Sequence, residues 1–278
     1  MNRKEGAFWA FVKLRQDAYW RRANGRPPPY SNDEALASYH FCNVYREADR
    51  GTIYFQQNRK PVDGLEGLIF QAAAYRLINR VSTFVQFGGL PTLSSGAAFA
   101  AFVDEGRKEE ATMFTGRHLN IGYEGFAEAM AWLLDGGAAV LAQGVREAAT
   151  LEAACKSLLI APEIGNFFAW QLTCDLMESG VNLPDDDWAL LGTGGKAGAV
   201  LVNPETGTAA TLATARALRD CQPTNGSLIP PPQAPDPFSL KNVEHALCEY
   251  ARYVRAHQWI ADGGRRPGKL EDKPWKRQ

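Results

Sequence analysis

The chain has 278 residues, 45% of them apolar and 22% charged, which is ordinary globular composition and enough length to bury about three quarters of the unfolded surface without disulfide support. No run of 18 apolar residues occurs, and the opening MNRKEGAFWAFVKLRQ is amphipathic rather than signal-like, so a membrane partner is not expected and the cytoplasm is. The formal net charge of −1 hides an asymmetry: residues 1–26 carry seven Lys/Arg against two acids and residues 252–278 eight against three, leaving fifteen basic and twenty-six acidic residues between them. Two basic ends on an acidic body point to a polyanionic partner.

Five widely spaced cysteines include no C-x-x-C pair, and no His/Asp cluster has ligand spacing. The expectation is therefore free thiols, with no metal and no cofactor.

In chain order, Phe8, Trp9, Phe11, Val12, Leu14, Ala18 and Tyr19 predict an amphipathic helix that ends near NGRPPPY. SNDEALASYHFCNVYREADR then opens with a Ser31–Glu34 capping box and reads as a helix of five turns. On it Asn43, Arg46, Glu47 and Arg50 fall at i, i+3, i+4 and i+7, a charged stripe, while Phe41, Val44, Tyr45 and Ala48 form an apolar one. Further helices are expected at 65–79, 96–104, 122–134, 137–159, 163–179, 206–219 and 239–257. The Pro-rich run 230–238 reads as a crossing that returns the last helix to the body, and 271–278 as a flexible basic tail. Strict two-residue alternation is nearly absent. The expected architecture is all-α, a single helical unit over 1–278.

LLIAPEIGNFFAWQLTCDL (158–176) has the form of a helix-hairpin-helix. In that motif a glycine turn aims backbone N–H groups at a phosphate, aided by the dipole of the following helix. Glu163, Gly165 and Asn166 are the candidate DNA contacts there, with Ile164 packed inside. Asp185, Asp186 and Asp187 follow 20 to 22 residues after Gly165, where helical DNA glycosylases carry a catalytic aspartate at a helix start. Asp187-Trp188 fits that start best, Asp185 is also in range, and an N-cap cluster is the plain structural alternative. Phe167 stands where lyase-type glycosylases have a Schiff-base lysine, which excludes that nucleophile. On the last helix Val243, Leu247, Tyr250 and Val254 make the core stripe, and Glu249 and Arg252 share another face.

FWAFVKLRQDAYWRR, YHFCNVYREADRGT, YRLINRVSTF, IGNFFAWQLTCDL and NVEHALCEYARYVRA, in order from about residue 7 to 270, resemble the phage and bacterial alpha-glutamyl/putrescinyl thymine pyrophosphorylases, including the phage amino acid:DNA transferases. The same helical domain is found fused to phage kinases of hydroxymethyl-uracil DNA. The resemblance implies a helical DNA-glycosylase-like fold and a transferase of the host cytoplasm, acting on double-stranded DNA. An amino acid amine, glycine foremost, would replace the phosphate of 5-phosphomethyl-deoxyuridine. Two departures, GTGGKAG (192–198) in place of a Pro-Gly-Ala-like turn and Ala251-Arg252 in place of Asp-Lys, bear on the choice of amine.

Such chemistry needs an extruded base, cations for a departing phosphate, a base for the amine and a hold on its carboxylate. The expected catalytic set is Arg46 and Arg50 on the phosphate, Glu47 holding a guanidinium, Asn43 beside them, and Asp187 as first general base, with Glu244, Glu249 and His245 after it. Arg252 or Arg255 would take the carboxylate, and Tyr45, Asp49 and Glu244 would line the substrate. Lys196, Arg265 and Arg266 join the hairpin as DNA contacts. Cys42 and Cys248 leave open a route through a thiolate adduct at C6 of the base. A monofunctional glycosylase and a non-catalytic DNA-binding module are the competing functions.

Overall fold

The computed structural model describes residues 3–62, 64–115, 121–183, 187–204, 210–224, 226–234 and 237–263. Among these every regular element is a helix: α1 Arg3–Ala23, α2 Glu34–Ser38, α3 Arg50–Asn58, α4 Gly64–Ile78, α5 Val81–Phe87, α6 Gly96–Lys108, α7 Gly122–Trp132, α8 Ala138–Glu147, α9 Leu151–Ser157, α10 Asn166–Glu178, α11 Thr193–Val202, α12 Thr211–Asp220 and α13 Leu240–Ala261. The all-α expectation holds. The described chain divides into two compact units, one discontinuous (to Asp49, then from Ala189) and one continuous (Arg50–Trp188).

The continuous unit is built on α4, whose residues from Gly67 to Ile78 are all buried. A helix apolar on every side must be wrapped by others, and α8 and α10 pack against it. Its one charged buried side chain, Arg76, is chelated by the fully buried Asp175 of α10 through Nε and Nη2. Helices α7 and α8 lie within one stretch, Gly122–Glu147, that has the length and mean hydropathy of a membrane span; half of its most apolar window is buried, and it is broken at Asp135–Gly136, where Gly136 takes φ +91°.

The discontinuous unit is organised by α13. Phe8 and Phe11 of α1 stack edge-on or tilted against Tyr250, and Phe238 meets both Trp9 and Tyr45. Helix α11 lies along α13 through glycines. A Cβ on Gly198 would stand 2.1 Å from the Leu247 carbonyl oxygen, and one on Gly194 2.3 Å from Cys248 Sγ. The run GTGGKAG is thus the start of a close-packed helix and not a loop.

The sequence expectation fails most clearly at 31–50. Helix α2 is capped by Asp33, whose Oδ1 accepts from the Leu36 N–H at 2.9 Å, while Ser31 serves Asp33 itself. It ends at Ser38, Tyr39 turns extended, and only a single 3-10 turn, Arg46–Ala48, follows before α3. No five-turn helix exists, so Asn43, Arg46, Glu47 and Arg50 do not share a helical stripe. Phe41, Val44, Tyr45 and Ala48 are nevertheless all buried.

Candidate functional site

Segment 40–46 has no helix to satisfy its main chain, and a buried peptide group needs a partner. Side chains from α1 and α13 supply them. Arg15 Nε donates to Cys42 O at 2.9 Å, and its Nη2 to Phe41 O and Asn43 Oδ1 at 3.1 and 2.7 Å. Arg252 Nη2 donates to His40 O, the Cys42 N–H donates to Glu249 Oε2 at 2.8 Å, and the Arg46 N–H donates to Asn242 Oδ1 at 2.8 Å. Asn43 closes the segment on itself, its N–H on Asp49 Oδ1 and its amide on the Ala48 carbonyl. Of the stripe expected from sequence, Asn43 braces this segment through its side chain, accepting from Arg15 and donating to Ala48.

That scaffold encloses a cluster of ionisable groups. Arg46 and Glu47 are 3% and 7% exposed. Glu47 Oε1 faces Lys241 Nζ at 2.6 Å, and its Oε2 has no hydrogen-bond partner. Its cationic partner is therefore a lysine of α13, where a guanidinium is expected from sequence. Asp49 Oδ2 lies 3.2 Å from His245 Nε2. Burial alone would raise the Asp49 carboxyl, but His245, the Asn43 N–H and the charge of Arg46 outweigh it and hold it below the usual carboxylate range. Burial likewise opposes a charged His245, and Asp49, with Glu249 behind it, overcomes this and lifts the imidazole above its ordinary value. Glu249 receives Arg252 Nη1 on both oxygens, at 2.6 and 2.9 Å. With these three hydrogen bonds, from Arg252 and the Cys42 N–H, Glu249 braces the segment.

Cys42 Sγ stands in the same cluster, with an oxygen of Asp49 and a ring nitrogen of His245, all three within 4.8 Å of one another. No ligand spacing in the sequence announces it, because the three come from segments about 200 residues apart. Burial first, then Asp49 and Glu249, push the Cys42 thiol well up, against Arg252 and Arg15. Burial pushes Cys248 up to about 12, and its sulfur faces Gly194 instead. Neither thiol rests as a nucleophilic thiolate. Arg15, Lys241 and Asn242 belong to this cluster and went unnoticed in the sequence, where nothing local sets them apart from the polar positions of an amphipathic helix.

The remaining sequence candidates scatter. Glu244 and Tyr45 are buried, whereas Arg255 and Lys196 are exposed, Lys196 in the first turns of α11. The burial of Lys241, Asn242, Glu244 and Glu249 means that α13 lacks the solvated charged face its sequence pattern implies. Arg50 is exposed and opens α3, in the continuous unit. Asp187 belongs to that unit also and is exposed, but no helix starts at Asp187-Trp188, since the chain stays irregular until Thr193. Asp185, Asp186, Arg265, Arg266 and the tail 271–278 lie outside the described residues. At the hairpin Ile164 is buried as expected, and Gly165, with φ −79°, precedes α10, a Cβ there meeting nothing within 4 Å. It is Glu163 that takes the left-handed turn, at φ +62°, with its carboxylate folded over Gly125 of α7.

Comparison with curated proteins and with solved structures gives no match. A family model described as the helical domain of 5-hmdU DNA kinase matches residues 5–262, nearly the whole chain and all of the cluster built from α1, segment 40–49 and α13, so the chain belongs to that family, one of thymine hypermodification.

Proposed function

We propose that the chain is a transferase of DNA thymine hypermodification that replaces the phosphate of 5-phosphomethyl-deoxyuridine in duplex DNA with an amino acid amine, glycine foremost. The observation that carries this reading is the burial of Arg46 and Glu47, side by side on one 3-10 turn, with one carboxylate oxygen left without a hydrogen bond. Removing two opposite charges from water is costly and does not by itself stabilise a fold, so such pairs gather where chemistry uses them.

In the reaction the amine nitrogen bonds to the exocyclic methylene carbon, the carbon–oxygen bond breaks, and phosphate leaves with the electron pair. Glu47 Oε2 takes a proton from the amino acid's ammonium, freeing the lone pair with which the amine attacks. Arg46 meets the charge that grows on the leaving oxygen, which a guanidinium matches bidentately. Arg252 is committed to Glu249 and His40, which leaves Arg255 as the candidate for the amino acid's carboxylate. The family's description is of a kinase's helical domain. Among the described residues there is no strand, hence no strand–Gly-rich loop–helix cradle for a nucleotide. Our reading gives this chain the step that follows phosphorylation. The hairpin at 161–165 and a glycosylase-like mode of base extrusion belong to the same proposal.

The test is nucleoside mass spectrometry after incubating the protein with 5-phosphomethyl-uracil duplex and a mixture of amino acids. A nucleoside heavier by one amino acid and lacking phosphate is the expected product. Release of a free base would identify a glycosylase instead, and unchanged DNA a binding module.

A further inference from the structure

We propose that Cys42, Asp49 and His245 form a three-ligand site for a divalent transition metal of the zinc type, a site that neither the family's description nor the transferase reading contains. The donor set is one sulfur, one oxygen and one imidazole nitrogen, which suits a borderline-soft ion. Ligands of a tetrahedral ion at usual bond lengths stand roughly 3.3–3.7 Å apart. Here the three atoms fall within 4.8 Å of one another, with Asp49 Oδ2 and His245 Nε2 already at 3.2 Å.

Cys42 and Asp49 are already held from behind, as metal ligands are. Cys42 is fixed through both its peptide groups, by Arg15 on its carbonyl and Glu249 on its N–H. Asp49 gives one oxygen to the Asn43 N–H, which leaves the other facing His245. His245 Nε2 is buried and faces Asp49 Oδ2 at 3.2 Å, so an ion taking the place of a proton there would sit between the two. Cys248, the other thiol of α13, is turned away toward Gly194.

Charge does not forbid the ion. The guanidinium charges of Arg15, Arg46 and Arg252 act on the cluster, and the Asp49 and Glu249 carboxylates stand against them. A divalent cation bound here would displace the Cys42 thiol proton, so that thiolate charge offsets part of the ion's own. Three protein ligands leave a fourth position open, as in catalytic rather than structural zinc sites.

Cobalt titration of the untagged, metal-free full chain tests this without DNA or amine, so its outcome is independent of the transferase reading. One equivalent of Co²⁺ should give the visible absorption of a tetrahedral site with a near-ultraviolet sulfur-to-cobalt band, and Zn²⁺ should bleach both. Cys42→Ser should abolish the sulfur band, His245→Gln should weaken Co²⁺ binding at least about a hundredfold, and Cys221→Ser should alter neither. Absence of the sulfur band in the wild-type chain at excess Co²⁺ overturns the proposal whether or not any variant folds. So does a band that survives Cys42→Ser.

Discussion

At the scale of single residues, positions 39–49 separate what a sequence pattern can and cannot say. The apolar positions 41, 44, 45 and 48 are recognisable as core from spacing alone, and all four are buried. The helix inferred with them is absent, because Arg15, Glu249, Arg252 and Asn242 satisfy main-chain groups that a helix would have satisfied itself. Those partners lie from 26 to over 200 residues away, beyond the reach of any local rule. Arg46 is buried, and its charge acts on Asp49 and His245, so the proposed phosphate role no longer rests on a helical register. Arg46→Ala should lower single-turnover transfer on 5-phosphomethyl-uracil duplex by on the order of 10²–10³ while leaving binding of unmodified duplex nearly unchanged. Arg46→Lys should recover only part of the rate, since a point charge lacks the guanidinium fork. Wild-type rates in both variants would make Arg46 a structural cation.

Whole helices are the most legible features. Long periodic stretches appear where expected: 65–79 as α4, 163–179 as α10, which starts three residues later, and 239–257 as α13, which runs four residues longer. The expected 137–159 helix is broken at Ala148, which turns extended, and Thr150 caps a new helix by accepting from the Ala153 N–H. Three helices escape sequence reading, α3, α5 and α11. The first two are short, and the third hides behind glycines that read as a turn. Glycine is poor in an isolated helix, but at 194 and 198 it is the residue that lets α11 approach α13. Gly198→Ala should therefore destabilise the discontinuous unit by roughly 1–3 kcal/mol or more, because the obstacle is the Leu247 carbonyl, a backbone atom that cannot swing aside. Gly192→Ala, with nothing within 4 Å, should cost under about 1 kcal/mol. Urea unfolding of the two variants checks the contrast, and equal midpoints would refute it.

For the molecule as a whole, the charge distribution is the feature the sequence reveals best. Arg3, Lys4, Lys13, Arg21, Arg22 and Arg26 are all exposed along or just beyond α1. On the proposed function, if about six phosphates are neutralised, affinity for duplex DNA should fall about a thousandfold between 50 and 200 mM salt. A fluorescence anisotropy titration across that range measures it, and affinity indifferent to salt would contradict DNA as the partner. What the sequence hides at this scale is the division into units, since the boundaries at Asp49 and Ala189 fall in stretches with no Gly/Ser-rich or Pro-rich linker.

That division fixes an order of events during synthesis. The unit Arg50–Trp188 is one unbroken stretch and has all its parts once its own residues have left the ribosome. Residues 40–49 emerge before it but must wait through some 190 further residues for Asn242, His245, Glu249 and Arg252, the side chains that fasten them. On the proposed function, the site built on residues 40–49 is assembled only once α13 has been made, and a chain cut short of α13 would lack the side chains that fasten it.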